Sequence, residues 1–331
     1  MKKSYVLLHL AVILAGFTGV FGKLISLNEG LLVWYRLLFS AVILFVILKL
    51  LRIPYKISLQ EKVRIMKAGL LITMHWLFFY ASIKYANISI GVVCYCLTSF
   101  FTAVFKPLID KEKFKISELI LSTFTLLGIS LIFHFDISYQ LGIILGVISS
   151  AFGALYTIYN NRLVRHFDTK VINFYQMIAG TLALGAFLPV YLLISPADSI
   201  VPDLKNTAYL GILALFCTVV LYVAFAEVLK KIPAFTVNLT FNLEPVYAIV
   251  MAFLFFGESK EVGSAILYRN FFDHCFSCFT DADFSLEKRI ILSIETKRGD
   301  YIKSPRFLFR QNINHLLVIL IKHYLSRFLC K

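Results

Sequence analysis

Residues 232–258 read IPAFTVNLTFNLEPVYAIVMAFLFFGE. Between Pro233 and Gly257 the stretch is mostly apolar, and its one charged residue is Glu244. About 20 apolar residues are enough for an α-helix to cross the hydrocarbon core of a bilayer. The stretch therefore predicts a membrane-spanning helix with a single carboxylate near the middle of the membrane.

The rest of the chain repeats this apolar character. Of its 331 residues, 59% are hydrophobic and only 16% are charged, whereas a soluble domain is nearer half apolar and a quarter charged. Counting the stretch above, nine segments are long and apolar enough to span: 5–22, 31–51, 68–85, 87–105, 117–135, 141–159, 171–194, 207–229 and 233–256. The sequence predicts an all-α integral membrane protein and excludes a soluble enzyme, a disordered protein and a nucleic-acid binder.

Basic residues predict the orientation. With the N-terminus in the cytoplasm, the inner connections hold 17 lysines and arginines and the outer ones hold four. Membrane proteins concentrate these residues on the cytoplasmic side. We therefore expect a multi-pass protein with a cytoplasmic N-terminus and the lipid bilayer as its surroundings.

An internal repeat aligns residues 84–116 with residues 230–262 at an offset of 146. The segment FTAV at 101–104 faces YAIV at 247–250, and Glu112 faces Glu258. The first repeat, 1–136, holds five helices, so the second, 137–265, should be inverted in the membrane. Two inverted five-helix repeats are typical of secondary transporters, whose substrate site lies near the midplane between the halves.

The tenth helix of this scheme is missing or replaced. It should occupy about 263–281, where Arg269 and Asp273 cost roughly 2.5–3.5 kcal/mol each at the centre of a membrane helix. Residues 266–331 form an atypical basic tail with 11 basic and 6 acidic residues. Two explanations stay open, a shifted reading frame or a genuine lineage-specific tail.

Glu244 is the foremost candidate for binding a substrate or a proton. A carboxylate within the membrane is costly and usually faces the bundle interior or a wet cavity. Pro245, which follows it, lacks an N–H group and weakens the helix there. The alternative is a structural role, in which Glu244 holds its helix to a neighbour.

Five further residues are candidates for the same site. Asn238 and Asn242 share one helix face, and their alternative role is interhelical hydrogen bonding. Arg36 would attract anions at the outer mouth or extend its side chain to the outer headgroups. Tyr156 and Gln176 are candidate lining residues, whereas His75 is expected to be packed and hydrogen-bonded. We predict no catalytic residue, no metal site and no cofactor.

Two stretches resemble the EamA-like branch of the drug/metabolite transporter superfamily. They are HLAVILAGFTGVFGKLISLNEGLLVWYR at 9–36 and the opening stretch at 232–258, with LEP at 243–245, GE at 257–258 and Arg36 matching the family pattern. The resemblance covers about residues 5–265. It implies ten helices in two inverted repeats, a bacterial inner-membrane location and transport of small metabolites, often amino acids.

The sequence thus predicts a secondary transporter that moves a small-molecule solute by alternating access. It contains no G-x-x-x-x-G-K-[ST] loop for ATP, so gradients would supply the energy. The alternatives are a membrane sensor or assembly subunit without transport, and an inactive product of a disrupted transporter gene. A homodimer is compatible with the sequence.

Overall fold

The structure, a computed structural model, describes residues 2–123, 139–197, 199–245 and 247. The helices α1 to α5 are Lys2–Leu24, Glu29–Leu50, Leu59–Tyr85, Ile88–Tyr95 and Leu97–Asp110, and residues 116–123 are also helical. Helices α6 to α10 are Gln140–Leu163, Thr169–Ile194, Leu204–Ala214, Leu221–Leu229 and Ala234–Phe241. A π-helix, Leu215–Val220, joins α8 to α9. The prediction of an all-α membrane protein is confirmed.

Seven helical stretches in the described residues are long and apolar enough to cross a membrane: Lys3–Leu24, Glu29–Leu50, Leu59–Tyr85, Ile90–Asp110, Gln140–Leu163, Thr169–Ile194 and Leu204–Leu229. They correspond to seven of the nine predicted spans. The other two, 117–135 and 233–256, extend past the described residues. The region of the predicted tenth helix and the tail after residue 265 also lie outside them.

Helix α3 begins nine residues earlier than its predicted span. Its first turns carry charged residues, so a search for apolar runs does not include them. Ser58 starts the helix with a capping box, in which Ser58 Oγ accepts from the Glu61 N–H and the Glu61 carboxylate accepts from the Ser58 N–H. A capping box thus satisfies two backbone N–H groups that the start of a helix would otherwise leave unpaired.

Two helices that the sequence presents as continuous are interrupted. The predicted span 87–105 is divided at Cys96 into α4 and α5, and α10 ends at Phe241 with a turn at Asn242 and Leu243. Sequence reasoning expected the weak point at Pro245, but helical structure resumes at Glu244 and Pro245. Proline is tolerated in the first turn of a helix. Pro245 can therefore lie at the start of the resumed helix, and the break falls before it, at Asn242 and Leu243.

The two interruptions correspond in the internal repeat. Helices α4 and α10 are eight residues long each, and a shift of 146 residues carries the bounds of α4 onto those of α10. Cys96 and Asn242, which follow them, are in contact, with Cys96 Sγ 3.9 Å from the Asn242 carbonyl oxygen. Corresponding breaks in two repeats are the pattern of discontinuous helices in secondary transporters.

The buried core lies where α3 packs along α6 and α7 while α2 packs along α7. Its largest fully buried side chains are Trp76, Arg36, Tyr80 and Tyr156. Many apolar side chains on other faces are exposed, among them Val42, Leu182, Phe187, Val190 and Leu193. Such exposed apolar faces suit contact with lipid, whereas a soluble monomer rarely exposes large contiguous apolar patches.

Candidate functional site

Two adjoining cavities lie among helices of both predicted repeats. The larger, about 20 Å³, is lined by Ala15, Thr18, His75, Trp76, Phe79, Tyr95, Leu221, Tyr222, Phe241 and Glu244. The smaller, about 10 Å³, adds Ile72, Gly153, Tyr156 and Phe225 to five of these residues. A cavity needs about 10–15 Å³ to hold one water molecule. This conformation is therefore closed around the site, and a solute would require the helices to separate.

Glu244 supplies the carboxylate in the wall of the larger cavity. Its side chain is 3% exposed, and the turn at Asn242 and Leu243 brings it there. No hydrogen bond or ion pair within 4.0 Å reaches this carboxylate from the described part of the chain. An unpaired buried carboxylate is energetically costly, and binding a proton or a cation offsets that cost.

Arg36 is fully buried behind the aromatic wall. Its Nε donates to Thr218 Oγ1 at 2.7 Å, Nη1 to the Tyr80 hydroxyl at 2.9 Å and Nη2 to the Cys217 carbonyl at 2.7 Å. Its guanidinium carbon lies 3.9 Å from the ring centre of Trp76, a cation–π contact. Of the two alternatives for Arg36, extension to the outer headgroups is not observed, because these partners hold its guanidinium inside the bundle.

The π-helix explains why the Cys217 carbonyl can accept from Arg36. In an α-helix the Leu221 N–H would donate to Cys217, four residues earlier. Here it donates to the carbonyls of Phe216 and Thr218 instead. Single-turn π-helices are frequent at functional sites, and this one supplies a backbone acceptor for a buried cation.

Asn238 and Asn242 connect helices and do not line either cavity. Asn238 Nδ2 donates to Thr102 Oγ1 at 2.7 Å, and Asn238 Oδ1 accepts from Thr157 Oγ1 at 3.1 Å. The Asn242 amide lies 3.1 Å from Ser99 Oγ. Interhelical hydrogen bonding, the alternative left open by the sequence, is the arrangement observed.

Tyr156 and Gln176 belong to one buried hydrogen-bonded ring with Asn160. The Tyr156 hydroxyl donates to Gln176 Oε1 at 3.4 Å, Gln176 Nε2 donates to Asn160 Oδ1 at 3.0 Å, and Asn160 Nδ2 donates to the Tyr156 hydroxyl at 3.3 Å. Only Tyr156 lines a cavity. Gln176 lies outside both linings and fixes the position of Tyr156.

His75 is packed and hydrogen-bonded, as expected, but it also lines both cavities. Its Nδ1 lies 3.0 Å from the Ser149 carbonyl oxygen and 2.9 Å from Ser149 Oγ. Ser149 Oγ donates to the His75 carbonyl at 2.9 Å. These contacts hold the ring in place against the cavity.

The aromatic wall was not anticipated as part of the site. Trp76 and Phe79 are not among the candidate site residues that the sequence singled out. Their spacing contained a usable signal, because Ile72, His75, Trp76 and Phe79 recur at the interval of one helix face. Of the described residues, no three His, Cys, Asp or Glu side chains are grouped to hold a metal ion.

A family model matches most of the chain. The model of the EamA-like transporter family matches residues 2–134 and again residues 140–267. The chain belongs to the EamA-like transporter family. Membership of this family, together with the membrane-capable helices, indicates a multi-pass membrane transport protein.

Bacterial proteins resemble this EamA-like chain along most of its length. An "Uncharacterized transporter" of Clostridium kluyveri is 25% identical over 80% of this chain and 89% of its own. Another, of Haemophilus influenzae, is 26% identical over 68% of this chain and 74% of its own. One solved crystal structure has the same fold, with a TM-score of 0.60, 14% identity and coverage of 77% of this chain and 88% of its own.

Proposed function

We propose that this EamA-like protein is a secondary transporter that carries a small metabolite, such as an amino acid or related solute, across the bacterial inner membrane. Its N-terminus lies in the cytoplasm, and two inverted repeats, 1–136 and 137–265, rock around the cavity between them. The observation that carries the proposal is Glu244, whose buried carboxylate lies in the wall of an aromatic cavity and has no hydrogen-bond or ion-pair partner among the residues that the structure describes.

Glu244 binds the proton or the amino group of the solute. Both neutralise a charge that is costly to leave unpaired away from water. The rings of Trp76, Tyr95 and Tyr222 surround the same cavity, and aromatic faces attract cations. Tyr156 extends this wall in the smaller cavity.

The interruptions at Cys96 and Asn242 are where the two halves bend. An uninterrupted helix resists bending because each turn is fixed by its backbone hydrogen bonds. The α4–α5 and α10 breaks remove part of that constraint next to the cavity. Opening towards one face and then the other at these points gives the cavity access to each side in turn.

The roles of the other candidates follow from their contacts. Arg36 acts through Trp76, which it holds against the cavity by the cation–π contact. Asn238 and Asn242 hold α10 to α5. Gln176 positions Tyr156. Of these candidates we assign only Tyr156 to direct contact with solute, and none of the other four.

Flux into vesicles tests the proposal. The full chain is reconstituted with a pH-sensitive dye inside, and a panel of amino acids and related amines is added under an imposed pH gradient. We expect at least one solute to cause a proton flux that protein-free vesicles lack. Glu244→Gln should abolish that flux, because the amide neither accepts a proton nor binds an ammonium ion strongly.

The matched control is Glu227→Gln, one helix earlier in the chain. Glu227 is partly exposed and pairs with Lys230 at 2.8 Å, outside both cavities. Its substitution should leave the flux unchanged. Wild-type flux from the Glu244→Gln protein would remove Glu244 from the mechanism, and absence of flux from the folded wild-type protein with every solute would favour a sensor or assembly subunit.

A further inference from the structure

The segment that joins α2 to α3 carries an unusual excess of positive charge. Residues 49–67 contain one acidic residue and six basic ones: Lys49, Arg52, Lys56, Lys62, Arg64 and Lys67. The acidic residue, Glu61, is engaged at the start of α3, where its carboxylate accepts from Ser58 N at 2.8 Å and Ser58 Oγ at 2.7 Å.

None of these six basic side chains forms an ion pair within 4.0 Å among the described residues. The ion pairs that are formed there lie elsewhere: Lys106–Asp110, Lys106–Glu112, Lys115–Glu118, Arg162–Asp110, Lys170–Asp168 and Lys230–Glu227. The other basic connections are thus partly neutralised by the protein's own carboxylates. The positive charge of residues 49–67 is not neutralised in this way by the described residues, so it can attract an external anion.

The segment is held in a fixed orientation. Ile53, Tyr55 and Ile57 pack against the core, and the Tyr175 hydroxyl of α7 donates to the Tyr55 carbonyl at 2.7 Å. Side chains alternate in an extended segment, so Arg52 and Lys56 share the opposite, exposed face.

Arg52 occupies a backbone position that favours glycine. Its φ is 52°, and the Ile53 N–H donates to the Leu48 carbonyl at 3.0 Å to close the end of α2. Glycine is the usual residue at such a helix end because it has no Cβ to clash. The chain therefore keeps a cation here despite a conformational cost.

Exposed leucines adjoin these cations. Leu50 is 76% exposed and Leu59 is 75% exposed, and Leu51 is exposed beside them. A combination of basic and apolar side chains at the end of a spanning helix fits the headgroup region, where the apolar groups enter the lipid and the cations bind phosphates. If a soluble acidic protein bound these cations instead, the exposed leucines would remain in water.

We propose that residues 49–67 form a binding site for anionic phospholipid headgroups in the leaflet that faces them. The inference is independent of the transported solute. Its test is therefore binding to the purified full chain, with no transport measurement.

Native mass spectrometry of the delipidated chain in detergent supplies the test, with phosphatidylglycerol and phosphatidylcholine as probes. We expect phosphatidylglycerol to bind at least about tenfold more tightly, and the double variant Arg52→Gly, Lys56→Gln to lose about tenfold or more of that affinity. Glycine suits the backbone of residue 52, so this variant should fold. Lys56→Gln alone should lose a smaller part.

The control is Lys111→Gly, Lys115→Gln. Lys111 is the other non-glycine residue with positive φ in the described chain, at 54°, and Lys115 is paired with Glu118. This variant removes the same charge and should keep the wild-type affinity. Equal binding of the two lipids, an equal loss in the control, or displacement of phosphatidylglycerol by inorganic phosphate would each overturn the proposal.

Discussion

The indole N–H of Trp76 donates a hydrogen bond to the hydroxyl of Tyr222 at 2.8 Å, and the two residues lie 146 positions apart in the chain. The same separation aligns the sequence repeat and relates Cys96 to Asn242. Residues exchanged by a two-fold axis can touch each other only close to that axis. Both contacts are those expected if the two repeats that we propose are inverted about an axis beside the cavity.

The Trp76–Tyr222 hydrogen bond should contribute measurably to stability. Trp76→Phe keeps an aromatic ring and removes the N–H group. The buried Tyr222 hydroxyl then loses this hydrogen-bond donor. We expect a loss of about 1–2 kcal/mol, seen as a lower melting temperature in detergent. Trp34→Phe is the control, because the Trp34 indole is only partly buried and its bond to the Thr181 carbonyl is longer, at 3.2 Å. An equal loss in the control would contradict this ranking.

Arg36 should not be replaceable by lysine. An ammonium group keeps the charge but cannot reach Thr218, Tyr80 and Cys217 together, because it lacks the planar fork of guanidinium. Losing two charge-assisted hydrogen bonds at about 1.5 kcal/mol each predicts about 3 kcal/mol of destabilisation for Arg36→Lys. Arg64→Lys, at an exposed site, should change thermal stability little. Wild-type stability of Arg36→Lys would show that the hydrogen bonds contribute nothing beyond the charge.

The contact between α3 and α7 depends on a glycine. A Cβ at Gly69 would lie 2.6 Å from Gln176 Cα, which is backbone and cannot rotate away. Gly69→Ala should therefore separate these helices and lower the melting temperature. Gly211→Ala meets no atom within 4 Å and should stabilise α8 by about 0.5–1 kcal/mol. The two variants should shift stability in opposite directions, and shifts of the same sign would contradict the packing described.

Asn238 should affect stability more than solute affinity. Asn238→Ala removes its bonds to Thr102 and Thr157, and interhelical hydrogen bonds in membranes average about 0.6 kcal/mol. We expect a loss of about 1 kcal/mol in melting experiments and an unchanged half-saturating solute concentration in vesicles. A several-fold change in that concentration, in a protein that melts normally, would return Asn238 to the binding site.

The length of the apolar runs predicted the spans, because a helix must be about 20 residues long to cross the lipid hydrocarbon. Glu244 was found from the sequence for a related reason, since an isolated carboxylate within an apolar run is conspicuous. A search for apolar runs does not detect helical turns that carry charge, such as the first turns of α3. Sequence placed the weak point of the last described helix at Pro245, but the corresponding break at Cys96 has no proline beside it.

The partners of polar residues could not be predicted, because they come from helices far away in the chain. Arg36 donates hydrogen bonds to Thr218 and Cys217 in a π-helix, and no single residue in the sequence predicts that π-helix. Aromatic side chains occur in cores, in contact with lipid and around cavities, so the residue types of Trp76 and Tyr222 alone did not assign them to the site. Only the packing of α3 against the second half of the chain makes them a cavity wall.

Two-sided access to the cavity is the most direct test of the account. Thr18, which lines the cavity with Glu244, is changed to cysteine in a chain whose six native cysteines are replaced by alanine. A membrane-impermeant thiol reagent is then applied to vesicles from each face in turn, with Lys205→Cys as a control that should react from one face only. Alternating access predicts that Thr18→Cys reacts from both faces and is protected by a transported solute. Reaction from a single face under all solute and pH conditions would contradict it.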